Sequence, residues 1–299
     1  MSLAIIGSVA FDTVETLYGK KNNVLGGSAT YAALGASFFS PVNLISVVGT
    51  DFPRKYYEIF RGRGVNTLGV ERKDGETFRW EAKYHKDLIH RDTLSVKLNV
   101  FEGFKPVIPI ELRKARSLFL ANIDPELQGW IFKNVSATGI VACDTMDHWI
   151  ATKKKELLKL LGKIDILLLN DEEARQLSGE SNLLDAARYI ISKGAKKVVI
   201  KKGEHGALLF SGGLSFMVPV YLVKKVVDPT GAGDTFGGGM LGYLAGKRRI
   251  TDRDLRRSLV YGSILASFTV EDFSVNALLK VKDRDIRQRY KALMSLVRF

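Results

Sequence analysis

Short aliphatic and β-branched runs recur along this chain at nearly regular intervals: LAIIG, VNLISVVG, RSLFLAN, GIVACD, IDILLLN and KKVVIKKG. Between them lie amphipathic stretches, SATYAALGASFF, ELQGWIFKNV, KKKELLKLL, DEEARQLSG and LLDAARYIISKG. Near-continuous apolar strands separated by helices demand a sheet buried on both faces. The pattern therefore predicts an α/β fold, mainly parallel, with helices on both sides. Several predicted strands end in Asn122, Asp144, Asn170 or Gly203, and ligands of open α/β sheets bind at the carboxyl ends of strands. At 299 residues, with no internal repeat or low-complexity linker, the chain reads as a single domain.

Two segments, about 12–27 and 68–90, break the rhythm. Their period is nearer two, and turn residues punctuate them at Gly19 to Asn23 and at Asp74-Gly75. They are expected to form a small β lid standing off the main domain, or else a pair of ordinary surface hairpins. A further strand is expected at LVKKVVD, before a glycine-rich loop.

The net charge of +13 raises the question of nucleic acid. The basic residues are dispersed or mixed with acids, as in GKRRITDRDLRR, and no run interleaves them with aromatics, so no nucleic-acid partner is expected. No apolar run is long enough for a membrane span. The start, MSLAIIGSVAFD, reads as a strand rather than a signal peptide, and the single cysteine, Cys143, fits a reducing cytoplasm.

The stretch VVDPTGAGDTFGGGMLGYLAG is a predicted helix carrying Gly237, Gly238, Gly239 and Gly242 in its interior. Each such glycine costs about 1 kcal/mol relative to alanine. The loop before it is neither a Walker A sequence nor a good dinucleotide fingerprint. A glycine loop opening a helix is still an anion site, with the amides of Gly231, Ala232 and Gly233 free to face a phosphate. Asp234 falls in the first helical turn, where the helix dipole should keep it ionised and ready to accept a proton from an attacking hydroxyl. The interior glycines would let nucleotide or neighbouring backbone come close.

DPTGAGDTFGGGML resembles the C-terminal signature of the PfkB (ribokinase-like) carbohydrate kinases. That resemblance implies an anion hole at Gly231, Ala232 and Gly233, with Asp234 as catalytic base. GSVAFD is similar to the family's first strand, implying that Asp12 binds substrate hydroxyls. GGSATYAALGA is similar to its Gly-Gly segment, implying that Gly26 and Gly27 admit the substrate to the backbone. LNDEEARQLSG and VVIKKGEHGALLF complete the order; they imply nucleotide contacts at Asn170, Lys202, Gly203 and Gly206, joined by Thr230 and Ser263, and Mg²⁺ held through water by Glu173. Asn170 and Glu173 could equally be a plain helix cap. Where the family usually has Asn, this chain has Tyr31, so other acceptor contacts are sought at Asn122, Asp124 and Asp144, with Phe78, Arg79 and Trp80 on the lid. The resemblance implies ATP-dependent phosphorylation of a sugar or polyol hydroxyl. A nucleoside acceptor and a non-catalytic sugar- or nucleotide-binding regulator are the alternatives, and a homodimer through the lid is expected as a partner.

Overall fold

The computed structural model describes residues 2–297. Strand β1 (Leu3–Ile6) leads into β2 (Ala10–Thr16) and β3 (Gly19–Gly26), then helix α1 (Ser28–Ala36), β4 (Val42–Gly49), α2 (Arg54–Gly62) and β5 (Val65–Lys73). A hairpin follows, β6 (Phe78–Tyr84) and β7 (Arg91–Lys97). Next come β8 (Lys114–Ala115), β9 (Ser117–Leu120), α3 (Pro125–Asn134), β10 (Ser136–Ala137), β11 (Val141–Asp144), α4 (Asp147–Thr152) and α5 (Lys154–Leu161). Strand β12 (Ile166–Asn170), α6 (Asp171–Ser178), α7 (Leu183–Ser192), β13 (Lys197–Lys201), β14 (Ala207–Ser211) and β15 (Leu214–Val218) complete the sheet. The chain ends in α8 (Ala232–Ala245), α9 (Asp252–Thr269), α10 (Asn276–Lys280) and α11 (Asp283–Leu296).

The main sheet has the order β15-β14-β13-β12-β11-β9-β1-β4-β5 and is parallel from β13 to β5. Only β14 and β15 run antiparallel, as a hairpin edge. Alternation along β1 shows why its sequence is apolar at every position. Leu3 and Ile5 enter the core shared with α1, α8 and α9, while Ala4 and Ile6 enter the core on the opposite face. Among the described residues, no helix is long and apolar enough to cross a membrane.

The second sheet, β3-β2-β6-β7, stands apart as expected of the lid, with two differences in extent. Residues 68–73 belong to β5, the far edge of the main sheet, because Val70 to Lys73 pair with Ser46 to Gly49. The lid instead runs on to Lys97. Asp12 lies on β2 within the lid and not on the first strand of the main sheet. The expected strand at LVKKVVD is irregular: the amides of Val227 and Asp228 turn to the carbonyl of Val270 at the end of α9, so no sheet edge claims them.

Helix α8 explains its glycines. A Cβ on Gly238 would overlap the carbonyl of Ala32, and one on Gly242 would sit 2.6 Å from the carbonyl oxygen of Ala36, both on α1. In return, a Cβ on Gly35 of α1 would lie 2.8 Å from the carbonyl oxygen of Thr235. The two backbones touch along this seam, and α8 is buried along almost its whole length. It is the neighbouring backbone, not a nucleotide, that uses the space beside Gly238 and Gly242. Replacing Gly238 by Ala should therefore destabilise the protein by about 1–3 kcal/mol despite the gain in helix propensity. The control is Gly129→Ala in α3, where nothing stands within 4 Å of the new methyl and stability should hold or rise. Equal melting temperatures for the two variants would refute the close-contact account.

Candidate active site

Gly231 caps α8 with φ 75° and ψ 0°, a left-handed conformation that glycine adopts without strain. The ring of Tyr31 lies so close that any side chain at this position would run into it. Among the described residues, the amides of Gly231, Gly233 and Asp234 have no hydrogen-bond partner in this turn. The amide of Ala232 is drawn back to the carbonyl of Pro229 at 3.2 Å, so the nest is shifted by a residue from the expected 231–233. The loop is held from behind by Asp228, which is buried and accepts from the amide of Thr230 at 2.9 Å and that of Ser274 at 3.4 Å.

Asp234 stands in the first turn of α8, but the helix dipole does not decide its ionisation. Crowding by protein strips water from the carboxylate, and the negative charges of Asp144 and Glu173 add to this. Lys201 and Arg91 oppose them, and the net effect pushes Asp234 up to about 7. The expected low-pKa aspartate is thus a base poised near neutrality. The residue itself is half-buried.

Lysine 201, at the carboxyl end of β13, was not singled out by its sequence. Its Nζ donates to both oxygens of Asp144, at 2.7 and 3.0 Å, and the two side chains are only 17% and 3% exposed. Asp144 is therefore an ion-pair partner rather than an open substrate ligand. Beside them, Asn170 and Glu173 form a reciprocal cap on α6: the Asn170 side chain accepts from the Glu173 amide at 2.7 Å, and Glu173 Oε2 from the Asn170 amide at 2.6 Å. Burial pushes Glu173 up to about 7, against the pull of Lys201. Its Oε1 makes no bond to protein.

Across from this group, the lid carries Asp12. Gly26 is required because a Cβ there would overlap the Asp12 carboxylate, and Gly27, at φ 95°, because a Cβ would meet the carbonyl oxygen of Ser8 at 2.5 Å. At both positions the missing side chain makes room for protein groups. Burial, then the charge of Asp228, pushes Asp12 up to about 8. Trp80 is its direct neighbour across the β2–β6 ladder, so both side chains face the same side of the lid. On that face Tyr84 reaches the loop, its hydroxyl accepting from Thr230 Oγ1 at 3.2 Å.

Three buried polar atoms near these groups have no partner: the Tyr31 hydroxyl, Asn122 Oδ1 and Thr145 Oγ1. Tyr31 lies within α1, while Asn122 and Thr145 lie just past the ends of β9 and β11. A buried polar atom left unpaired costs about 1–3 kcal/mol, which is relieved if a polar ligand completes the set.

Other expected site residues are occupied elsewhere. Thr230 is 9% exposed and bonded to the lid, and Ser263 spends its hydroxyl on the carbonyl of Pro219. In the unliganded protein both hydroxyls are therefore engaged by protein. Asp124 caps α3 and pairs with Lys153 at 2.8 Å. Phe78 stacks on Phe101, and Arg79 pairs with Asp51. Lys202, Gly203 and Gly206 form the tight turn after β13, closed by the Lys202 amide donating to the Gly206 carbonyl at 2.7 Å. A cavity of about 480 Å³ lined by Arg113, Phe132, Val135 and Val141 opens where β11 begins, at the opposite edge of the sheet from these groups.

Comparison with known proteins agrees with this architecture. Residues 2–281 match the family described as pfkB family carbohydrate kinase. The chain is 30% identical over 255 residues to a cytidine kinase of Thermococcus kodakarensis, covering 83% of this chain and 90% of that one. Its fold is similar to the crystal structure of the Methanocaldococcus jannaschii nucleoside kinase, with a TM-score of 0.76, 20% identity and 97% and 98% of the two chains covered. It is likewise similar to the aminoimidazole riboside kinase of Salmonella enterica, solved with aminoimidazole riboside and an ATP analog, with a TM-score of 0.78, 20% identity, and 97% and 100% coverage. The chain belongs to the pfkB family of carbohydrate kinases. It is a sugar or nucleoside kinase, a phosphotransferase with an alcohol group as acceptor.

The raised carboxylates have a cost in the unliganded protein. Asp12, Glu173 and Asp234 bind protons at about 8, 7 and 7 when folded, against ordinary values of 3.8, 4.5 and 3.8. At these three groups the folded state therefore holds more protons than the unfolded one between these limits, and their contribution to stability falls as pH rises from about 4 to about 8. Asp12→Asn should raise the melting temperature at pH 8 and change it little at pH 4. A gain that is the same at both pH values would contradict the assignment.

Proposed function

We propose that the protein is an ATP-dependent nucleoside kinase, with cytidine as the first acceptor to try. The observation that carries this reading is the pairing of Asp12 with Trp80 on the inner face of the lid. A carboxylate suits the paired hydroxyls of a ribose, and an indole beside it offers an aromatic surface to a base, a feature that a simple sugar or polyol would not use. The likeness to a cytidine kinase over most of both chains supports the same choice.

In this reading the γ-phosphate of ATP rests on the unpaired amides of Gly231, Gly233 and Asp234. The acceptor's primary hydroxyl lies against Asp234, which takes its proton as the new bond to phosphorus forms. Ionised Asp12 accepts from the ribose hydroxyls, and the Tyr31 hydroxyl and Asn122 Oδ1 gain partners from the acceptor. The lid covers the site and keeps water from competing. Mg²⁺ supplies charge neutralisation to the phosphates. Glu173 fits it through its unbonded Oε1 and an intervening water, the sparse protein ligation usual for a phosphate-carried Mg²⁺.

Purified protein should release ADP with nucleosides, cytidine foremost, in preference to ribose or polyols. Asp234→Asn should lower kcat by orders of magnitude while ATP still binds, and Trp80→Ala should raise KM for a nucleoside by about 5- to 150-fold, the equivalent of one lost base stack. Turnover confined to sugars or polyols in the wild type would replace the nucleoside reading. Near-normal kcat in the Asp234 variant would remove the base.

The lid also offers a second copy of the chain an open edge. Strand β7 closes one side of the lid sheet and leaves Leu94 and Val96 about half exposed. We infer a homodimer clasped through these strands. Sedimentation should give a dimer that Leu94→Glu converts to a monomer; a monomeric wild type at micromolar concentration excludes the clasp.

A further inference from the structure

Lys201 occupies an unusual place for a structural ion pair. Its partner Asp144 ends β11 and the lysine ends β13, so both point from carboxyl ends of the sheet toward the first turn of α8. A Cβ built on Gly233 would lie 3.4 Å from Nζ, and 3.7 and 3.8 Å from Cδ and Cε. With glycine at that position, no side chain separates the ammonium from the unpaired amides of Gly233 and Asp234. Around it stand Asp144 from β11, Glu173 from α6 and Asp234 from α8. Burial pulls the Lys201 ammonium down, but the attraction of these three carboxylates outweighs it, so the lysine stays charged.

The charge balance of this group is wrong for a cluster that merely stabilises the fold. Lys201 is in contact with one of three neighbouring carboxylates, Arg91 acts on Asp234 without a salt bridge, and among the described residues no other salt bridge reaches Asp12, Asp144, Glu173, Asp228 or Asp234. Buried ion pairs gain little even when matched, and the surplus acids repel an incoming polyphosphate. A lysine is a compact charge on a flexible stem, able to change partners over a short distance.

We propose that Lys201 is a catalytic residue: it rests on Asp144 in the unliganded protein and turns to the γ-phosphate when nucleotide fills the Gly231–Asp234 loop. This rests on the placement of ATP given above. In the transfer, the acceptor oxygen forms its bond to the γ-phosphorus as the bridging oxygen–phosphorus bond to ADP breaks. The acceptor proton passes to Asp234, and the ammonium offsets charge on the transferring group. Asp144 and Glu173 raise Asp234 while this ammonium and Arg91 oppose them, so removal of the ammonium leaves Arg91 alone against those acids.

The test compares Lys201→Gln and Lys201→Arg with wild type. First, ATP and ADP binding are measured by calorimetry without acceptor; second, the pH dependence of kcat/KM is recorded. Lys201→Gln should lose about tenfold or more in ATP affinity relative to ADP, the worth of one charge-assisted contact. Its kcat should fall about 100-fold. The acid limb, near pH 7 in wild type, should move to higher pH, and Lys201→Arg should recover part of both changes. An unchanged ATP-to-ADP ratio with an unmoved limb overturns the proposal and leaves only an ion pair. If Lys201→Gln fails to fold, the double variant Asp144→Asn/Lys201→Gln removes both charges of the ion pair together, and the same two readouts decide. Because the binding ratio needs no acceptor and no base, it stands or falls separately from the Asp234 assignment.

Discussion

The contact between the backbones of α1 and α8 is the constraint on which the site depends. Gly35, Gly238 and Gly242 let the two helices meet main chain to main chain. That depth of approach brings the Tyr31 ring over Gly231 and fixes where the first turn of α8 can stand. Any bulk along the seam would lift α8 away from the sheet, and with it the amides of Gly233 and Asp234. The helix gives up about 1 kcal/mol of intrinsic propensity per interior glycine, which tertiary contact offsets.

A second constraint is electrostatic. The ends of β11 and β12, the start of α8 and the lid strand β2 converge and bring Asp144, Glu173, Asp234 and Asp12 into a small desolvated region. Glu173 and Asp234 are held near neutrality and Asp12 somewhat higher, rather than fully ionised. Such perturbed groups are what proton transfer at neutral pH requires. They also weaken the unliganded protein at alkaline pH, a conflict between stability and function common at active sites.

Parts of the fold were legible because their signal is periodic. Apolar runs bounded by helical stretches led to the parallel sheet, and the period-two segments led to the lid. Segment 68–73 went astray because an edge strand of the main sheet is half exposed and alternates just as a lid strand does. LVKKVVD looks like a strand, but β15 already closes the sheet and α9 captures its amides. At Asp234 the helix dipole favours the ionised form, and desolvation by neighbours distant in sequence outweighs it. That the hydroxyls of Thr230 and Ser263 bond to Tyr84 and Pro219 is likewise decided by neighbours far away in the chain.

The sequence alone determined the class of fold and the glycine loop that opens α8, because the glycines, Asp234 and the helix start are contiguous and their relation is set by local geometry. The tertiary structure decided what surrounds that loop. Lys201 reads as one of two adjacent lysines at a strand end, and only the order β11-β12-β13 lays it on Asp144. Trp80 reads as a hairpin aromatic until the β2–β6 register puts it beside Asp12. Ladder register and sheet order bring together residues far apart in the chain, and no short stretch of sequence contains that information.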